Sequence, residues 1–76
     1  MRIAYVMINL ETGVESEVLE SLRKVDAVEE AHRIYGVYDI IAKVKADNMD
    51  KLQEIVSRHV RRLDKVRSTL TMIVIE

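Results

Sequence analysis

The order of its apolar patterns constrains the fold of this chain more than any other feature of the sequence. Four short runs have the apolar, β-branched content of strands, and two longer stretches repeat apolar residues at helical spacing. They follow one another as strand, helix, strand, strand, helix and strand. The predicted strands cover residues 3–10, 28–35, 38–45 and 66–75, and the predicted helices cover 14–24 and 49–63.

This order predicts an α+β, ferredoxin-like βαββαβ sandwich, in which a four-stranded antiparallel sheet carries two helices on one face. Its 76 residues make a single domain, with no room for a second one. Thr12 and Glu15 have the spacing of a capping box at the start of the first helix. Asp47 with Asp50 indicates the N-cap of the second helix.

The first and last strands are apolar on both faces. A sheet with helices on one side only should carry polar residues at alternate positions of its strands. Here, both alternating sets are apolar, which predicts that a second copy of the chain covers the free face of the sheet. The sets are Ile3, Tyr5 and Met7 against Ala4, Val6 and Ile8 in the first strand, and Leu70, Met72 and Val74 against Ile73 and Ile75 in the last.

The small size of the chain also favours oligomerisation. A domain of this length buries only about 60 % of the surface of its unfolded chain, so it needs a further source of stability. There is no cysteine to form a disulfide, and His32 and His59 lie too far apart in sequence to predict a metal site. We expect neither a metal nor a cofactor.

Charge and hydropathy exclude several classes of function. The net charge of −1 argues against direct binding of nucleic acid. No apolar stretch approaches the ~18 residues of a membrane span, and residues 1–6 read as a strand rather than as a signal peptide. The sequence therefore predicts a cytoplasmic protein.

The turn at Gly36-Val37-Tyr38-Asp39 is the best candidate for a binding site. It places free backbone amides, a phenol and a carboxylate close together, a combination that suits a small zwitterion. Simpler roles exist for the same residues: Gly36 permits a positive φ in a hairpin, Asp39 is suited to capping turn backbone, and the tyrosines to packing. Because the neighbouring strands are so apolar, we expect this turn to lie at a subunit contact.

Two short motifs resemble those of a known family. Val28, Ala31 and residues 34–39 form the first, and residues 66–71, Val-Arg-Ser-Thr-Leu-Thr, form the second. Together they resemble the effector-binding domain of the Lrp/AsnC (feast/famine) transcriptional regulators, also called the RAM domain. The resemblance covers the whole chain, which begins at the first strand of that domain. It therefore looks like a stand-alone version without a helix-turn-helix DNA-binding domain.

The resemblance implies a function and a set of binding residues. Members of the family dimerise through the sheet, assemble into rings that are usually octamers, and bind amino acids between dimers at the turn after the second strand. On this basis Asp39 pairs with the ammonium group of an amino-acid effector, and the threonine hydroxyls lie beside the side chain or carboxylate of the effector. The implied ligand-binding residues are Tyr35, Gly36, Val37, Tyr38, Asp39, Thr69 and Thr71.

The implied function is amino-acid sensing coupled to oligomerisation, acting through assembly with itself or with a full-length Lrp/AsnC regulator. Tyr35 stands where similar proteins usually have a small hydroxyl residue, and this bulk predicts a smaller pocket or a different ligand. One alternative is a structural oligomerisation module that binds no small molecule. A small dimeric enzyme is another, but Asp39 has no second catalytic group paired with it, so we do not predict an enzyme.

Overall fold

The elements of the computed structural model, which describes all 76 residues, follow the predicted order. The α+β, ferredoxin-like prediction is confirmed, and every element except the first strand is shorter than the sequence indicated. The strands are β1 (Arg2–Leu10), β2 (Val28–Arg33), β3 (Ile40–Ala46) and β4 (Val66–Ile73). The helices are α1 (Glu15–Arg23) and α2 (Met49–Val56), and α2 continues into a π-helical turn over Ser57–Arg61.

The sheet has the strand order β2-β3-β1-β4, and all neighbouring strands are antiparallel. β1 lies inside the sheet and pairs with β3 on one side and β4 on the other. Val6 of β1 is therefore opposite both Ala42 and Thr71. β2 and β4 form the two edges.

Alternate residues of the strands build one apolar core beneath the helices. The core contains 15 buried residues, and none of them is polar or charged. Val18 and Leu22 of α1, with Leu52 and Val56 of α2, cover the sheet, and Val60 of the π-helical turn is fully buried. The sheet contributes Ala4, Val6, Ile8, Leu10, Val28, Ala31, Ile40, Ala42, Val44 and Ala46.

The helix starts differ from the predicted ones. Val14 precedes α1 without a side-chain cap, and Glu15 Oε1 accepts a hydrogen bond from Gly13 N at 3.0 Å. The capping role predicted for Thr12 is therefore wrong, because the turn at Gly13, with a φ of +95°, separates Thr12 from the helix. Asn48 caps α2 by accepting from Lys51 N at 2.9 Å, so the N-cap predicted from Asp47 and Asp50 was wrong by one residue.

The connection between β2 and β3 is longer than the four-residue turn predicted from the sequence. β2 ends at Arg33 and β3 begins at Ile40, so six residues, 34–39, join the two strands. Ile34 N donates to Asp39 O at 2.9 Å and closes this segment. Residues 34–35 and 38–39, which the sequence predicted to belong to the two strands, are therefore part of the connection.

The face of the sheet away from the helices is apolar along β1 and β4, as predicted. Tyr5 is 36 % exposed, and Leu70 and Met72 are each 45 % exposed. Towards β2 the same face is charged: Glu29 lies 3.5 Å from Lys43 Nζ and 3.3 Å from Lys45 Nζ. We call the apolar part, made of Ile3, Tyr5, Met7, Ile41, Leu70 and Met72, the open sheet face.

Two leucine substitutions test which positions belong to the core. Leu52 is fully buried, so Leu52→Ala should lower the free energy of unfolding by about 2–5 kcal/mol through lost burial and the cavity left behind. Leu63→Ala makes the same change at a half-buried position and should cost clearly less. Urea unfolding followed by circular dichroism measures both values. Equal losses would contradict the described core.

The ion pairs of Glu29 predict a pH dependence of stability. The hydrogen bond from Lys45, helped by the charges of Lys45 and Lys43, lowers the pKa of Glu29 below its usual value despite partial desolvation. Because the pKa is depressed in the folded state, the stabilisation is present above the unfolded pKa and is lost as the pH falls through the folded one. Glu29→Gln should therefore flatten the decline of the melting temperature between about pH 5 and pH 3.

A matched variant separates this effect from a general loss of negative charge. Glu20 is an exposed carboxylate on α1 that forms no ion pair in the structure. Glu20→Gln should leave the acid decline of the melting temperature close to that of the unmodified chain. If both variants change the acid decline equally, the ion pairs of Glu29 are not its source.

Candidate ligand-binding site

The β2–β3 turn is fixed to the end of β1 by three hydrogen bonds. Asp39 N donates to Ile8 O at 2.9 Å, and Leu10 N donates to Asp39 Oδ2 at 2.7 Å. Asn9 Nδ2 donates to Val37 O at 3.3 Å. These bonds join residues about 30 positions apart in sequence, and they set the position of the turn relative to the sheet.

Asp39 is half-buried and has a structural role of its own. Its carboxylate caps the backbone of β1, through Leu10 N, rather than the backbone of its own turn. A hydrogen bond to a charged group of this kind contributes about 1.5–3 kcal/mol. The second carboxylate oxygen, Oδ1, makes no hydrogen bond within the chain, so it is free to accept from a cationic ligand group.

The apex of the turn is open to its surroundings. The Tyr35 side chain is fully exposed and that of Val37 is 82 % exposed, whereas Tyr38 is half-buried. Gly36 has a φ of +151°, which favours glycine, and a Cβ added there would meet no atom within 4 Å beyond its chain neighbours. The backbone N–H groups of residues 35–38 donate no hydrogen bond within the chain. Consecutive free amides of this kind are suited to binding an anion.

Thr69 and Thr71 lie on one face of β4, and that face is the one beneath the helices. Thr69 is opposite Ile8 and Thr71 is opposite Val6, and both threonines are half-buried. The turn reaches Ile8 from the β3 side of β1, so two strand spacings, about 10 Å, separate it from β4. Within one chain, therefore, the two threonines and the turn lie on opposite sides of β1 and do not form one continuous site.

A pocket of about 490 Å³ between α2 and β4 was not predicted from the sequence. Thr71 contributes to it, and its Oγ1 atom is buried without any hydrogen-bond partner. We call this the α2–β4 pocket; it is lined by Leu52, Gln53, Val56, Ser57, Arg61, Thr71 and Ile73. Its polar helix residues, Gln53, Ser57 and Arg61, recur every four positions. This spacing is visible in the sequence beside the apolar residues Leu52 and Val56.

The histidines do not come together. His32 lies beside Glu30 on the exposed side of β2, with 3.0 Å between His32 Nε2 and Glu30 Oε1, and His59 is half-buried in the π-helical turn. No group of three or more His, Cys, Asp or Glu side chains is arranged to hold a metal ion. None of the helices is long and apolar enough to cross a membrane.

Proteins of similar sequence are named as transcriptional regulators. An HTH-type transcriptional regulator from Pyrococcus furiosus is 33 % identical over 73 residues, which cover 92 % of this chain and 49 % of the regulator. The regulatory protein AsnC of Escherichia coli K12 is 34 % identical over 58 residues, covering 76 % of this chain and 38 % of AsnC. The chain thus spans about half, or less, of the length of these relatives, which are regulators rather than enzymes.

Solved structures agree with this relationship. The crystal structure of FFRP-DM1 superposes with a TM-score of 0.95 and 35 % identity, covering 99 % of this chain and all of that one. The structure of E. coli AsnC superposes with a TM-score of 0.91 and 29 % identity, covering 99 % of this chain and 51 % of AsnC. The sequence model of the Lrp/AsnC ligand binding domain matches residues 3–76. The chain therefore belongs to the Lrp/AsnC family, and it corresponds to the ligand-binding domain of that family.

Proposed function

We propose that this chain is an amino-acid-sensing and oligomerisation module. The observation that carries the proposal is the β2–β3 turn, where unpaired backbone donors and an unpaired carboxylate oxygen belong to one six-residue segment that is hydrogen-bonded to β1. Such a turn has complementary groups for both charged ends of an amino acid. The α-carboxylate accepts from the amides of residues 35–38, and the α-ammonium donates to Asp39 Oδ1.

The open sheet face supports the oligomerisation part of the proposal. Its exposed apolar side chains form a continuous stripe along two neighbouring strands, β1 and β4. A stripe of this kind on so small a domain is best covered by an identical stripe, as in a two-fold dimer with the sheets packed face to face. Further contacts between dimers, involving the exposed Tyr35 and Val37, then build an octamer or a similar ring.

Sensing and assembly are coupled in this proposal. An effector shifts the population of an assembly only by its differential affinity for the assembled and dissociated states. A ligand held between the turn of one copy and a neighbouring copy has this property, because the dissociated chain offers only half of the contacts. Effector binding therefore stabilises the ring or selects one ring size.

The action on transcription runs through a partner. Residues 3–76 match the ligand-binding domain of the family, and related regulators are named for a helix-turn-helix that binds DNA. We propose that the chain co-assembles with itself or with a full-length Lrp/AsnC regulator that carries the DNA-binding helices. It then changes the assembly of that regulator in response to an amino acid.

A purely structural module is the second candidate. It is favoured by the engagement of Asp39 with Leu10, which gives the carboxylate a role in folding without any ligand, and by the bulk of Tyr35 at the apex. Such a module would keep the open sheet face as an interface and leave the amides of the turn in water. The response to amino acids separates the two candidates.

The open sheet face should be sensitive to charge. Met72→Lys places an ammonium group in the centre of the proposed dimer interface, where its desolvation should weaken self-association by at least tenfold. Ser16→Lys adds the same group to the exposed surface of α1 and should leave the mass unchanged. Light scattering across a concentration series measures both. An unchanged mass for Met72→Lys would contradict a sheet-mediated dimer.

Two glycines provide a matched test of the turn. Gly36 and Gly13 both have a positive φ and open space around the Cα, so alanine at either position should cost about 1–3 kcal/mol of folding free energy. An effector present at 100 times its dissociation constant adds about 2.7 kcal/mol of stability to a competent chain. Thermal melting with each of the twenty amino acids should reveal this gain in the unmodified chain and in Gly13→Ala.

Gly36→Ala should lose the response, because a changed apex no longer aligns the free amides. The gain in melting temperature should be about 10 °C or more where binding occurs. If no amino acid changes either the melting temperature or the solution mass, sensing is wrong and the structural module is the better account. If Gly36→Ala responds as fully as Gly13→Ala, the effector binds somewhere other than the turn.

A further inference from the structure

The lining of the α2–β4 pocket has an apolar part and a polar part. Leu52 and Val56, which belong to the core, and Ile73 form the apolar part. The polar part consists of Gln53, Ser57, Arg61 and Thr71. Each of these four side chains can donate a hydrogen bond, one carries a positive charge, and none of the seven lining residues is acidic. The pocket therefore has the chemistry of a site for a carboxylate.

Thr71 provides independent support for a ligand in this pocket. Its Oγ1 is the buried side-chain polar atom that has no hydrogen-bond partner in the structure. Buried polar groups are nearly always paired, so an orphaned hydroxyl in a cavity wall indicates a partner that enters the cavity. A carboxylate oxygen is such a partner, because it accepts a hydrogen bond from the hydroxyl.

Arg61 is the group best placed to recognise a negative charge there. Its neighbour Arg58 is paired with Glu54, with 3.5 Å between Nη2 and Oε1, whereas Arg61 forms no ion pair in the chain. A guanidinium group offers paired donors that match the two oxygens of a carboxylate. The apolar part of the lining is suited to the methylene groups of such a ligand.

We propose that the α2–β4 pocket reads the side chain of the effector and selects one that ends in a carboxylate, with Arg61 as the specificity-determining residue. This inference rests on the proposed function, in which the turn holds the α-ammonium and α-carboxylate groups. The turn and the pocket of one chain are separated by about two strand spacings, roughly 10 Å. The turn of one copy therefore pairs with the pocket of a neighbouring copy, and the effector class is an acidic amino acid.

The test compares acids with their isosteric amides. Calorimetry with aspartate, asparagine, glutamate, glutamine, alanine and glutarate should show at least tenfold tighter binding of one acid than of its amide. Arg61→Gln should remove this difference and leave the affinity for the amides within about twofold. Arg62→Gln removes the same charge one residue away, outside the pocket lining, and should keep the difference. Circular dichroism checks that α2 is intact in both variants.

Thr71→Val supplies a second readout that does not depend on charge. Valine has nearly the shape of threonine but no hydroxyl, so the variant should melt at a higher temperature than the unmodified chain without ligand. The same variant should bind the acidic effector several-fold more weakly. A variant that melts lower and binds equally well would show that the hydroxyl serves the fold and not a ligand.

The other outcomes separate the two proposals. If acids and amides bind equally and Arg61→Gln weakens both, Arg61 holds the α-carboxylate and the assignment of an acidic side chain is wrong. If Arg61→Gln has no effect on binding, the pocket is not part of the site. If glutarate binds in an Arg61-dependent way while no amino acid does, the pocket assignment stands and amino-acid sensing fails. If nothing binds, both proposals fail.

Discussion

The rest of the structure depends on β1, a strand that is apolar on both faces and hydrogen-bonded along both edges. One face supplies the centre of the core, and the other supplies the middle of the open sheet face. The C-terminal end of β1 also holds the β2–β3 turn through Ile8 and Leu10. Since one strand fixes the core, the candidate dimer interface and the candidate site, a shift in its register would disturb all three together.

The sequence predicted those features that local periodicity determines. The element order and the apolar second face of the sheet followed from alternation and helical spacing. The helix starts were missed by one or two residues, because capping depends on the φ of Gly13 and on which of three neighbouring polar residues reaches Lys51. The attachment of Asp39 to Leu10 and the α2–β4 pocket depend on packing between distant segments, which no local pattern contains.

The division of the candidate site between two places in the fold has a thermodynamic consequence. A ligand that needs the turn of one copy and the pocket of another binds fully only to an assembly. Linkage makes this coupling reciprocal. If assembly raises the affinity for the ligand by some factor, ligand binding raises the affinity between the copies by the same factor. The ligand-binding domain can regulate through this coupling, because changing the assembly of a partner requires no contact between this domain and DNA.

The π-helical turn after α2 helps to explain why Arg61 lines the α2–β4 pocket and the nearby Arg58 and Arg62 do not. In a regular α-helix a row of residues spaced by four drifts around the axis by about 40° at each step, so a third member turns away from the surface that the first one faces. A π-helical turn rotates each residue by less, so the step from Ser57 to Arg61 offsets the drift from Gln53 to Ser57 instead of adding to it. Arg61 therefore stays over the pocket while Arg58 faces Glu54. The local widening of the helix thus supports the candidate site.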